Sequence, residues 1–191
     1  MNKVLIEQII EEHTFLARTF FSRSAEDIVK VAQRLARCLR GGGRILLAGN
    51  GGSAADAQHI AAELTCRFQR ERPALAAIAL NCDTCALTAI ANDLGAKYIF
   101  SRQLEALARK GDVFVAITTS GESENILEAL RSARERKIET VGLLGREGGA
   151  AREYVDFPLV VGAQKTARIQ EIHSIIGHIL CEAVEDELFG G

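Results

Sequence analysis

Apolar residues recur along the chain in two alternating rhythms. Val4, Ile9, Ile10, Phe15 and Leu16 repeat at helical spacing over residues 1–21, the period of one buried helix face. Ser24 followed by Asp27 resembles a capping box, with Asp in place of the usual Glu or Gln, and predicts a second helix start. That helix carries Ile28, Val31, Ala32, Leu35 and Leu39 and stops at Gly41-Gly42-Gly43. Beyond it, short apolar runs predict strands over 44–48, 75–80, 112–118, 139–144 and 155–161. Helical stretches separate them, near 54–67, 84–91, 97–109, from 123 to 137, and 166–188.

The central strands are continuous apolar runs. A parallel sheet covered by helices on both faces requires that pattern. Strand–turn–helix units in series imply right-handed crossovers and a ligand at the carboxyl ends of the strands. The expected class is α/β, a doubly wound parallel sheet with extra N-terminal helices. Those helices, residues 1–40, have apolar faces and no strand to cross over to, so packing in an oligomer is expected to bury them.

Length and composition narrow the function. The chain has 191 residues, the size of one α/β domain. Its net charge of −2 argues against a basic nucleic-acid surface. No apolar stretch approaches the roughly 20 residues that span a bilayer. Glu7, Glu11 and Glu12 stand where a signal peptide carries its apolar run, so a cytoplasmic protein is expected. Five cysteines, an odd count, read as reduced thiols. Cys82 and Cys85 form a C-x-x-C, read here as two small buried residues around a turn. The other reading is a redox or metal pair, but no second C-x-x-C completes a zinc site.

Two turns could hold a phosphate. Gly49-Asn50-Gly51-Gly52-Ser53 joins a strand to a helix, where glycines admit a ligand to the backbone and the helix start offers free N–H groups. It lacks the Lys of a Walker loop, and as G-x-G-x-x-A it is a weak dinucleotide motif. No acidic residue but Asp83 is placed for a ribose. Thr118-Thr119-Ser120-Gly121-Glu122-Ser123 sets four hydroxyls in six residues at another strand-to-helix junction. A plain Ser N-cap explains one of them; a phosphate site explains all four. Two such turns favour a phosphorylated small molecule.

A metal and proton-transfer set lies on two helices. His59 and Glu63 are at i and i+4, on one face. Gln170 and His178 lie eight residues apart, about 80° around the axis. Imidazole and carboxylate ligands suit Zn²⁺; a solvated surface pair is the alternative for His59 and Glu63. His173 points elsewhere and is read as packing or surface.

At these residues a family resemblance becomes specific. The run from Gly49 to Leu64, Ala91-Asn92-Asp93, Thr119 to Ser123 and Ala167 to His173 resemble the phosphoheptose isomerases, and the likeness covers nearly the whole chain. It implies a single sugar-isomerase (SIS) domain over 1–191, a three-layer αβα sandwich with a five-stranded sheet in flavodoxin-like order. It implies a cytoplasmic homotetramer with active sites between subunits. The activity implied interconverts sedoheptulose 7-phosphate and D-glycero-D-manno-heptose 7-phosphate, for heptose of the lipopolysaccharide core. By resemblance, one Zn²⁺ per subunit falls to His59, Glu63, Gln170 and His178. Substrate contacts fall to Asn50, Gly51, Gly52, Glu63, Asn92, Asp93, Thr118, Thr119, Ser120, Ser123 and Gln170, and Ser53 joins them from its place at the helix start. Glu122 stands where the family has Asn and sets a negative charge near the phosphate turn unless it points outward. Glu63 is the expected carbon-acid base and His178 the partner acid/base. A relative that binds the replication initiator is similar at Arg67-Phe68 and Ala77 to Asn81, but it lacks the glutamate that stands here at Glu63. A sugar-phosphate sensor usually carries a DNA-binding module, for which this chain has no spare residues.

Overall fold

The computed structural model describes residues 2–190. Its first element is one helix, α1 (Lys3–Arg40), where two were expected. Asn2 caps it by accepting from the Val4 N–H. The restart expected at Ser24 does not occur. Phe20 and Ile28 are buried, and Ser24, four residues from each, lies on the same face. The helical repeat therefore runs through it, while Asp27 accepts from Lys30 Nζ at the surface (2.9 Å). A continuing apolar face outweighs a local cap signal.

Among the described residues the sheet has five parallel strands: β1 (Ile45–Gly49), β2 (Ala77–Ala79), β3 (Val113–Thr118), β4 (Glu139–Gly145) and β5 (Phe157–Val161). Their order, β2-β1-β3-β4-β5, is the flavodoxin-like one expected. The helices between and after them are α2 (Gly52–Thr65), α3 (Thr84–Asp93), α4 (Ser101–Leu107), α5 (Glu124–Glu135) and α6 (Thr166–Phe189). Alternate strand side chains enter two different cores. Ile45, Leu47, Val113, Val115, Val141 and Leu143 pack with α1, α2 and α6. Leu46, Ala48, Phe114, Ala116 and Leu144 pack with α4 and α5. Both faces are dry, so the strand interiors are apolar on both sides, with polar residues only towards the ends, as at Thr118, Glu139 and Thr140.

The edge strand β2 is shorter than the 75–80 expected. The Asn81 side chain extends its ladder, accepting from the Gly49 N–H (3.3 Å) and donating to the Gly49 carbonyl (2.8 Å). Cys82 and Cys85 are free and exposed, against the expectation that they are buried. They flank Asp83, whose carboxylate caps α3 by accepting from the Ala86 N–H (2.9 Å), and α3 buries no residue among those described. Asp83 is thereby committed to a cap and is not a ribose ligand.

α1 packs along α6, and at its start the contact is polar. His13 Nδ1 meets Glu171 Oε2 at 2.7 Å, and Arg168 bonds both Glu171 and the Ile9 carbonyl. The opposite side of that segment leaves Val4, Leu5, Ile10 and Phe15 exposed, Phe15 to 73%. No helix of the described residues is long and apolar enough to cross a membrane.

Candidate functional site

β1 and β3 are hydrogen-bonded neighbours running in parallel, with Gly49 opposite Ile117. The turns that follow them therefore emerge side by side. The Asn50 and Asn125 amides bond reciprocally across the gap (2.8 and 2.9 Å) and join the Gly-rich turn to the first turn of α5. Gly51 has φ +56°, a left-handed conformation that favours glycine. At Gly52 a side chain would overlap the Gln170 carboxamide, so glycine there lets α6 lay Gln170 against the head of α2. Ser53, expected to contact substrate, is buried and its backbone and Cβ pack closely against Gly49.

The second turn is a hydroxyl cluster. Thr118 is buried; its Oγ1 accepts from the Gly121 N–H (3.2 Å) and lies 3.2 Å from Ser123 Oγ and 3.5 Å from Ser120 Oγ. Ser120 Oγ accepts from the Glu122 N–H (3.1 Å), and Thr119 beside it is half-buried. Ser123 holds the N-cap position of α5 yet makes no side-chain cap bond. Its hydroxyl is given to the cluster, so capping does not account for it. The first N–H groups of α5 have no acceptor within the helix, and such a start attracts an anion. Glu122 bends away to accept from the Ala150 N–H (2.8 Å), which spends its charge outside the cluster.

α2 and α6 run parallel and in step. Gly52 faces Gln170. Ser174 Oγ donates to Asp56 Oδ1 (2.7 Å). Gly177 leaves room for Ile60. His59 Nε2 meets His178 Nε2 at 2.8 Å, the rings nearly perpendicular. Partners recur about once per helical turn. Glu63 Oε1 is 3.5 Å from His59 Nε2. At this separation the two ring nitrogens of His59 and His178 are within hydrogen-bond reach, with the direction set by the tautomers. Burial raises the Asp56 carboxyl above its usual range, while the Ser174 bond and the two imidazoles pull it back in part.

The expected zinc donors do not all converge within the chain. His59, Glu63 and His178 stand together, whereas Gln170 lies about 12 Å along the α6 axis from His178, beside the Gly-rich turn. Among the described residues no group of three or more His, Cys, Asp or Glu is arranged to hold a metal ion. Asn92 and Asp93 bond to each other (2.7 Å) at the exposed end of α3 and to neither turn. His173 is fully buried, donates to the Leu144 carbonyl (3.2 Å), and is pushed down to about 4 by burial. It is a neutral packing residue, as its direction on the helix implied.

Several residues at the site were not singled out from sequence. Asn125 stands two positions past Ser123 and was within reach of a longer reading of that turn. Asn81 and Phe68 figured only in the likeness to the initiator-binding relative, and carry no local signal for a place in the site. Phe68 stacks on His178 (centroids 5.5 Å apart, planes 15° apart), a partner 110 positions along the chain.

Comparison with known proteins identifies the family. The SIS domain family matches residues 9–145. Phosphoheptose isomerase of Helicobacter hepaticus is 51% identical over 185 residues, 97% of this chain and 94% of that one. The enzyme of Campylobacter concisus is 51% identical over the full length of both. The solved phosphoheptose isomerase of Neisseria gonorrhoeae superposes with a TM-score of 0.91 at 41% identity, covering 96% of this chain and 98% of that one. The chain belongs to the SIS-domain family and, within it, to the phosphoheptose isomerases.

Proposed function

We propose that the chain interconverts sedoheptulose 7-phosphate and D-glycero-D-manno-heptose 7-phosphate in the cytoplasm, for heptose of bacterial surface glycans such as the lipopolysaccharide core. The observation that carries this reading is the seam between α2 and α6, where Glu63 stands 3.5 Å from His59, itself 2.8 Å from His178. The hydroxyl cluster and the start of α5 take the phosphate. Glu63 removes the proton from the carbon beside the carbonyl and returns it to the neighbouring carbon. His178, the partner acid/base, moves the proton between the two substrate oxygens. One C–H bond breaks and one forms, and the enediol between them keeps every atom of the substrate.

The donor chemistry at the seam fits Zn²⁺, one per subunit. His59, Glu63 and His178 would hold it, and Gln170, beside the Gly-rich turn, is the fourth donor that the resemblance implies. When bound, the ion polarises the substrate carbonyl and hydroxyl oxygens. The assembly that suits this reading is a homotetramer with active sites between subunits. The exposed apolar side of α1 supports it, as do Asn92 and Asp93, which a single chain keeps apart from both turns.

Purified protein incubated with sedoheptulose 7-phosphate, with and without a chelator, tests the reading. Heptose aldose should appear, and chelation should suppress it. Metal-loaded protein that forms no aldose overturns the activity; a chelator without effect removes zinc alone.

A further inference from the structure

His178 is exposed, yet its ring has to stay in register with His59. An exposed imidazole left to itself samples several rotamers. What holds it is the ring of Phe68, and Phe68 sits in the segment after α2, which has no regular structure of its own. One buried carboxylate takes the segment's backbone N–H groups, while Asp186 and Glu182 take the Arg70 and Gln69 side chains at the surface. Glu185 on α6 accepts from the Phe68 N–H (2.8 Å), the Gln69 N–H (2.9 Å), the Arg70 N–H (3.0 Å) and Arg72 Nε (2.9 Å). Arg72 also donates to the Glu63 carbonyl (2.9 Å) and the Leu64 carbonyl (2.8 Å), at the end of the helix that carries His59 and Glu63. Both side chains of the Glu185–Arg72 pair are 1% exposed. A fully buried ion pair is weak evidence for stability, because desolvation offsets the attraction. Its geometry is informative instead: every bond it makes fixes the path of residues 66–72 or the end of α2.

We infer that Glu185 and Arg72 are positioning residues for the imidazole pair, folding the 66–72 segment over α6 so that Phe68 is laid flat on His178. The inference rests on the reading of His178 as a working group. It extends the seam to a second layer, in which a buried pair at the far end of α6 determines where an exposed ring can point. Supporting shells of this kind cost about 10- to 100-fold in activity when lost.

The test uses the full-length protein with ¹³C-labelled histidine. The chain has four histidines, so the ring spectrum has four resolvable signals. Phe68→Leu should shift the His178 signal and lower kcat about tenfold, with KM within about twofold. Phe68→Tyr keeps a stacking ring and should restore both. Glu185→Gln and Arg72→Lys should move the same His178 signal while those of His13 and His173 stay in place. Arg72→Lys keeps the charge but loses the fork, which covers the case in which Glu185→Gln does not fold. The inference is overturned if Phe68→Leu leaves the His178 signal and kcat unchanged. It is equally overturned if the Glu185 and Arg72 variants lower only Tm, because a purely structural pair predicts that result. Failure of the functional reading appears separately, as unaltered protein that forms no aldose, and the His178 signal still scores the positioning.

Discussion

The two parts of the site are built in opposite ways. The hydroxyl turn after β3 is local: Thr118, Ser120 and Ser123 lie within six residues and bond to one another and to their own backbone. The seam between α2 and α6 is assembled from residues about 118 positions apart, and each partner is useless without the other. A local cluster can be damaged one hydroxyl at a time. A seam in step fails at whichever rung is lost, and the groups above and below it lose their alignment. Substitutions in the seam should therefore act on turnover, and those in the turn on phosphate affinity.

The largest effect should come from the seam. Glu63→Gln removes the proposed base but keeps the size of the side chain and its place beside His59. kcat should fall by at least about 100-fold, within the range for loss of a general base, with Tm within a few degrees. A variant that retains near-normal kcat would break the division, since the seam would then have no chemical role. Removing a ligand group also affects metal content, so bound zinc should be measured on the same sample.

The next effect sharpens the comparison by separating the working face of α6 from its packing face. His173 is buried and neutral, with its folded value pushed down to about 4 against an ordinary 6.5. Above pH 6.5 the ring is neutral in both folded and unfolded chains and contributes no pH dependence. As pH falls from 6.5 to 4, the unfolded chain takes up the proton first, so stability is lost across that window. The full loss is about 3 kcal/mol once pH is below the folded value. Glu185 adds a separate loss at lower pH. Burial would raise its carboxyl, but the Phe68, Gln69 and Arg70 N–H groups and Arg72 hold it below the usual 4.5, so its contribution disappears only as pH falls through that lowered value. Chemical denaturation at a series of pH values should show both phases, and His173→Leu should flatten the first. An unchanged slope in that variant assigns the loss to other groups.

The same local and non-local division explains what could be read from the sequence. The strands were legible because both sheet faces are dry, and the hydroxyl turn because its members are neighbours. His59, Glu63 and His178 were legible as residue types at helical spacing, but nothing in the chain stated that α2 and α6 run in parallel with Gly52 opposite Gln170. The single α1 was misread as two because Ser24 and Asp27 form a cap signal that only the continuing burial of Phe20 and Ile28 overrides. Cys82 and Cys85 were misread because small apolar character does not reveal that α3 buries nothing. The roles of Phe68, Arg72 and Glu185 were invisible because their partners are more than 100 residues away or are backbone atoms.

A third effect tests the turn. Thr118→Val keeps the buried shape but leaves the Gly121 N–H without its acceptor. An unpaired buried donor costs about 1–3 kcal/mol. Tm should fall, and KM for the sugar phosphate should rise more than kcat falls, whereas Thr118→Ser should behave like the unaltered protein. A Thr118→Val variant that loses kcat at unchanged KM would place this turn with the chemistry and erase the contrast with the seam.

The smallest effect probes the middle rung. Ser174→Ala removes the donor to Asp56 and nothing else of size. A hydrogen bond to a charged group at a half-buried position contributes about 1–2 kcal/mol, so stability should drop by roughly that amount. The distinguishing result is kinetic. Asp56 lies one turn from both Gly52 and His59, and if the helices are held in step by each rung, loosening this one should lower kcat a few-fold at unchanged KM. If Ser174→Ala changes only stability, then the ends of the seam are held independently, His178 by the Phe68 ring and Gln170 by its contact at Gly52, and the rungs between them serve packing alone.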